Sequence, residues 1–245
     1  MLHQPSPRPP ATELKRILNR CRRRSGESSP VVVFDLDGTL LDNRPRTLTI
    51  LRQYASFCRV RDPDLARRLE AARITDLDYL LDDSLSRLGV HSDRLRAEIS
   101  AFWQDRFFAD ASLAHDVPVS GAVEFVHACH DAGALIVYLT GRDLPAMGVG
   151  TFQSLRDWGF PIGVPGTELV LKPDTNIPDE TFKRSAAPQL VRVGSVVAVF
   201  DNEPANCNVM MAQYSDAHIV FVDTQHTPSA PPLHPAVRVV VDFRL

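Results

Sequence analysis

Short apolar runs recur along the chain at Val31–Phe34, Ala134–Leu139, Leu169–Leu171, Val196–Phe200, His218–Val222 and Val237–Phe243. Their length and β-branched content predict strands. Between several of them the apolar spacing widens to three and four, as in "GAVEFVHACHDAG" before the second run and "DETFKRSAAPQLVRVG" before the fourth. That spacing predicts helices. Near-continuous apolar strands alternating with amphipathic helices predict an α/β fold, a parallel sheet covered on both faces.

Residues 45 to about 116 follow a different pattern. "TLTILRQYASFCRV", "PDLARRLEAARI", "DLDYLLDDSLSRLGV" and "SDRLRAEISAFWQDRFFAD" place apolar residues three and four apart with charges between them, which predicts an all-helical insertion after the first strand. The aromatic "FWQDRFF" has helical spacing and reads as core of that insertion rather than as a stacking platform. The proline of "HDVPVSG" closes the insertion, and Ser120 or Gly121 opens the next helix. The predicted division is an α/β core over 29–44 and 117–245, a helical cap over 45–116, and a basic, partly disordered arm over 1–28. The arm is expected because "RCRRR" sits between Pro- and Ser-rich stretches. "DTQHTPSAPPLHP" reads as a proline-rich loop.

Composition narrows the class without changing this picture. The 245 residues are 44% hydrophobic and 23% charged, as in an ordinary globular protein. No apolar run approaches the roughly 20 residues of a spanning helix, and the N-terminus lacks the apolar block of a secretory signal. Cys21, Cys58, Cys129 and Cys207 are scattered, with no CxxC pair; reduced thiols in a cytoplasmic protein without membrane association are expected. A net charge of −3 gives no global attraction to nucleic acid.

The candidate chemistry lies at the ends of three strands. "VVVFDLDGTLLD" runs a strand straight into Asp35 and Asp37. In an extended chain these would share one side, and two such carboxylates repel unless a cation lies between them. Gly38 permits a turn directly afterwards. "LIVYLTGRD" ends in Thr140, Gly141, Arg142 and Asp143, and "VVAVFDNEPAN" in Asp201, Asn202, Glu203 and Asn206. Open parallel sheets bind ligands beyond the carboxyl ends of their strands, near a reversal of strand order. Oxygen ligands without histidine or thiolate suit a hard cation such as Mg²⁺. "HACH" (His127, Cys129, His130) has no further ligand nearby and reads as ordinary helix, and Cys207 as a packed small side chain.

"DLDGT", "YLTGR", a lysine and "FDNEPAN", in that order, resemble the motifs of the haloacid dehalogenase-like superfamily over about Val31 to Val222. The resemblance implies a Rossmann-like core with an inserted cap and a Mg²⁺-dependent phosphatase working through an aspartyl-phosphate. It implies Asp35 as nucleophile and metal ligand, and Asp37 as general acid and base with its main-chain oxygen on the metal. Thr140 would hold a phosphoryl oxygen, with Gly141 and Arg142 beside the substrate. Asp201 would hold the metal, and Asn202 or Asn206 would stand where many relatives carry a second acid. Lys183 is the preferred motif lysine and Lys172 the second choice. An acid at position 37 favours phosphate chemistry over dehalogenation. Arg44, Arg46 and Arg52 are candidates for contacting the leaving group. The expected partner is a small phosphorylated metabolite. The alternatives are a polynucleotide-end phosphatase, suggested by "LTGR" and "LKPD…FK", and a catalytically silent binding or regulatory protein of the same fold.

Overall fold

The computed structural model describes residues 10–22, 26 and 28–245. A helix, α1 (Pro10–Arg20), precedes the first strand, β1 (Pro30–Phe34). A two-residue strand, β2 (Leu41–Asp42), leads into four helices: α2 (Arg44–Cys58), α3 (Pro63–Ala71), α4 (Leu81–Arg87) and α5 (Asp93–Phe107). The chain returns through β3 (Val117–Pro118), then α6 (Ala122–Asp131), β4 (Leu135–Asp143), α7 (Leu144–Asp157) and β5 (Thr167–Lys172). It finishes with α8 (Asp179–Ala186), β6 (Ser195–Asp201), α9 (Pro204–Gln213), β7 (His218–Val222) and β8 (Arg238–Val240).

β1, β4, β5, β6, β7 and β8 form one parallel sheet in the order β5-β4-β1-β6-β7-β8. Side chains alternate across each strand, so one strand feeds two cores. From β1, Val31 and Val33 pack with Phe182 of α8 and Cys207 and Met210 of α9. Val32 and Phe34 face the other layer, with Phe125 of α6 and Leu14 and Ile17 of α1. There the Phe34 and Phe200 rings stack at 4.9 Å. Both faces are covered, as the apolar strands require. The chain builds outward from β1 through β4 and β5, then crosses to β6 on the other side. β1 therefore lies at the reversal of strand order, and its carboxyl end opens between those of β4 and β6.

Two details differ from the sequence reading. Pro10–Arg20 is a helix whose Leu14 and Ile17 are buried, with Cys21 buried just after it, so these residues are not a loose arm. Glu13 pairs with His218 at 2.5 Å and Arg20 donates to the Asp216 carbonyl at 2.6 Å, tying α1 to β7 and the turn before it. Arg23 and Arg24 of "RCRRR" lie outside the described residues. The helix expected over 179–194 is split: α8 gives way to a 3-10 stretch at Ala187–Arg192, where Pro188 lacks an N–H.

Helices α2 to α5 enclose an apolar cluster of their own, with Leu51, Tyr54, Leu65, Leu69, Leu85 and Ile99 buried. The chain leaves for these helices and returns from them through β2 and β3, which pair antiparallel. Among the described residues no helix is long and apolar enough to cross a membrane.

Candidate active site

The extended chain ends at Phe34. Asp35 N–H donates to the Phe200 carbonyl at 2.9 Å, the last link to β6. The backbone then turns: Thr39 N–H and Leu41 N–H both donate to the Leu36 carbonyl, at 3.1 and 2.9 Å, and Gly38 N–H donates to that of Leu41 at 2.7 Å. Gly38 has φ +79°, and a Cβ there would overlap the Asn202 carboxamide. The turn is stabilised by Leu36, which is buried in the core. In consequence Asp35 and Asp37 do not share one side as expected. Their side chains diverge into two separate charge clusters.

Asp35 keeps the parity of Val31 and Val33 and so faces the α8 layer. Lys183 of α8 places Nζ 2.7 Å from Asp35 Oδ1 and 2.6 Å from Asp201 Oδ2. Thr39 donates its hydroxyl to Asp35 Oδ2 at 3.0 Å. Asp201 Oδ1 accepts from Glu203 N–H at 2.9 Å and from Asn206 Nδ2 at 3.2 Å. All three charged groups are buried. Burial lifts the Asp35 carboxyl well above the usual carboxylate range; Lys183 offsets this only in part, and the charge of Asp201 adds to it. Burial opposes the charge on Lys183, yet Asp201 and Asp35 together hold its ammonium firmly protonated.

Asp37 belongs to a second cluster. Arg142 Nε lies 2.6 Å from Asp37 Oδ2, and Arg46 Nη2 lies 2.6 Å from Oδ1. Both guanidinium groups also reach Asp116, each at 2.6 Å. Burial by itself would raise the Asp37 carboxyl, but Arg142 and then Arg46 overcome it and hold the group well below its ordinary value. Two acids and two arginines balance here. Around Asp35, two acids share one lysine. Within these two clusters one negative charge is left unmatched, and it lies on the Asp35–Asp201 side.

The remaining expected residues divide between the cavity and its supports. Thr140 is buried at the tip of β4, its Oγ1 accepting from Arg142 N–H at 3.2 Å. Gly141 lies against the Asp179 carboxylate, which would collide with any Cβ there. Lys172 contacts that same carboxylate at 2.8 Å, not Asp35. Arg142, expected beside the substrate, lines the same cavity, with its guanidinium bound to Asp37 and Asp116. Asn202 accepts from Thr39 at 3.2 Å and donates to the Gln225 carbonyl at 2.6 Å, bridging two loops. Arg46 contacts Asp37 and Asp116, Arg44 pairs with Asp42, and Arg52 donates to the Ala72 carbonyl. His127 and His130 each bond a main-chain oxygen, of Gly159 and Pro165.

Asp35, Asp37, Thr140, Gly141, Lys183 and Asn206 open on one cavity of about 1120 Å³. Its other walls come from the loop after α3, the end of α5 and the 223–227 loop. Sequence reasoning missed Asp116, which lies 79 positions from Asp37 in the chain and offers only an isolated acid in "HDVPV". It also assigned "FWQDRFF" wholly to a core. Phe102 does pack there, against Tyr54 at 5.2 Å, but Trp103, Phe107 and Phe108 line the cavity.

Comparison with known proteins agrees with this fold. A predicted phosphatase from Clostridium acetobutylicum superposes with a TM-score of 0.50 at 16% identity, covering 81% of this chain and 86% of that one. A protein from Clostridium difficile, likewise provisionally described as a phosphatase, superposes with a TM-score of 0.52 at 16% identity, covering 82% and 88%. At such identities the likeness is one of fold. No curated protein matches the sequence. The family model of the haloacid dehalogenase-like hydrolases matches residues 30–177, which carry β1, the four-helix segment and β4. With that match over more than half its length, the chain belongs to the haloacid dehalogenase-like hydrolases.

Proposed function

We propose that this hydrolase cleaves a small-molecule phosphate monoester in two steps through an aspartyl-phosphate at Asp35. The observation that carries the reading is the buried Asp35 carboxylate at the carboxyl end of the central strand. It faces a cavity and lies within 2.7 Å of the one lysine it shares with Asp201. In the first step an Asp35 oxygen bonds to phosphorus and the bond to the ester oxygen breaks, its electron pair leaving with the alcohol. Asp37 supplies the proton that the departing oxygen takes up. In the second step Asp37 accepts a proton from water as the water oxygen bonds to phosphorus, releasing inorganic phosphate and restoring Asp35. Lys183 offsets the charge of nucleophile and phosphoryl group, and the Thr140 hydroxyl donates to a phosphoryl oxygen.

For Asp37 to carry a proton, a guanidinium must first leave it. Arg46 sits in the first turn of α2, so movement of the 45–116 segment, acting as a cap over the 29–44 and 117–245 core, is the motion that would free it. The donor set fits Mg²⁺. The unmatched buried negative charge calls for a cation, and the Asp35 and Asp201 carboxylates with the Asp37 main-chain oxygen supply oxygens, with an amide oxygen of Asn202 or Asn206 as a further ligand. An ion held by so few protein oxygens would keep several waters, as Mg²⁺ does. When bound, the ion would draw charge from the transferring phosphoryl group.

Turnover of p-nitrophenyl phosphate with Mg²⁺, its loss in EDTA, and acid-stable labelling of Asp35 by substrate phosphate are the expected results. Absence of turnover across a broad panel of phosphate esters would favour a silent binding protein.

A further inference from the structure

We propose that the cavity beside Asp35 selects a leaving group that is aromatic or otherwise flat and apolar, and that carries no negative charge beyond the phosphate. This rests on the phosphatase reading and adds the substrate class to it.

The first ground is the cavity wall. Trp103 and Phe107 stack at 4.3 Å with 26° between their planes, and Phe108 meets Trp103 edge-on at 5.9 Å. The one polar atom of the indole is satisfied within the helices, Nε1 donating to Thr47 Oγ1 at 3.1 Å, so what Trp103 offers the cavity is carbon. Arg46 covers one face of Phe107 at 4.3 Å, which leaves Trp103 and Phe108 to receive a further ring. Tyr79 and Leu80, which line the same cavity, are each 45% exposed, and Phe108 is 41% exposed. Large apolar groups clustered around a cavity that also holds buried charge are how a site binds an apolar ligand by one polar end. A phosphate fills a small part of 1120 Å³, and the rest is room for the group attached to it.

The second ground is charge. Among the described residues the basic side chains of the wall are Arg44, Arg142 and Lys183, and each is already bound to carboxylate. The surrounding wall adds Glu203 and Asp223; its Asp78 is paired with Arg87 at 2.7 Å. A second phosphate, a diphosphate or a nucleic-acid backbone would meet these acids, with no spare cation in the wall among the described residues to receive it. The geometry thus disfavours polynucleotide ends and bisphosphates, and it tolerates a neutral or cationic leaving group.

The test compares benzyl phosphate with 2-hydroxyethyl phosphate, whose leaving alcohols are matched in acidity, so that selectivity reports binding. The expected result is a KM about tenfold lower for benzyl phosphate, a ratio that falls toward one in Trp103→Ala and in Phe108→Ala. Phe108 is partly exposed, so its truncation spares the fold if that of Trp103 does not, and thermal melting checks both. Equal KM values, unchanged ratios in both variants, or preference for a bisphosphorylated sugar or a 3′-phosphorylated oligonucleotide overturns the proposal. Benzylphosphonate and methylphosphonate binding, followed by calorimetry, separates the two readings. If no ester is hydrolysed but benzylphosphonate binds about tenfold tighter and loses that margin in Trp103→Ala, the phosphatase reading fails and the aromatic site stands.

Discussion

Asp35→Asn tests whether the proposed nucleophile is held in the fold at a cost. Burial, offset in part by Lys183 and reinforced by Asp201, lifts the Asp35 carboxyl from its ordinary 3.8 to about 7. Between those values the native chain retains a proton that the unfolded chain has released, so wild-type stability falls as pH rises through the window. Three units at about 1.4 kcal/mol each give an upper bound of roughly 4 kcal/mol above the window. The amide keeps the shape without the charge, but it weakens one of the two contacts of Lys183, which returns about half of that gain. In EDTA near pH 8 the variant is therefore expected to melt roughly 4–8 °C above wild type, with the difference vanishing towards about pH 4. Mg²⁺ at millimolar concentration should raise the wild-type melting temperature more than that of the variant, since the ion would neutralise the charge that the variant lacks. Turnover should fall by at least about a thousandfold. Melting curves across this pH range, with EDTA and with Mg²⁺, are the assay. Parallel pH profiles for the two proteins, or equal stabilisation by Mg²⁺, would show that the carboxylate is already compensated and refute the unmatched-charge account.

Lys183→Met should leave Asp35 and Asp201 buried without a partner, costing about 3–5 kcal/mol in urea denaturation and abolishing turnover. Lys172→Ala breaks a pair with the largely exposed Asp179, and should cost no more than about 1 kcal/mol while preserving most activity. Arg46→Met leaves the fully buried Asp116 with only Arg142; a loss of about 3 kcal/mol is expected from chemical denaturation, together with lower kcat. Gly38→Ala sets a side chain at φ +79° against Asn202 and should cost about 1–3 kcal/mol, with weakened binding of inorganic phosphate measured by calorimetry.

Several features were legible because their causes are local. The apolar runs of β1, β6 and β7 mark strands buried on both faces, and "DLDGT" after such a run places acids at a strand tip. α1 carries a helical period in Leu14, Ile17, Leu18 and Cys21, but the basic residues beside them equally fit a solvated arm. Trp103, Phe107 and Phe108 could not be divided between core and cavity by spacing. All of them lie near the end of one amphipathic helix, and only the packing of α2 against α5 decides which faces inward.

What the sequence determined by itself was the order of elements, the two-faced burial of the sheet and the chemical inventory at three strand ends, since these follow from side-chain period and residue type. The tertiary structure decided which strand ends meet, because pairing β1 between β4 and β6 joins segments more than a hundred residues apart. It also decided the partner of each charge. Lys183 rather than Lys172 reaches Asp35, and Asp37 turns to Arg46, Arg142 and Asp116, because a buried ion settles on whichever opposite charge the packing brings within contact.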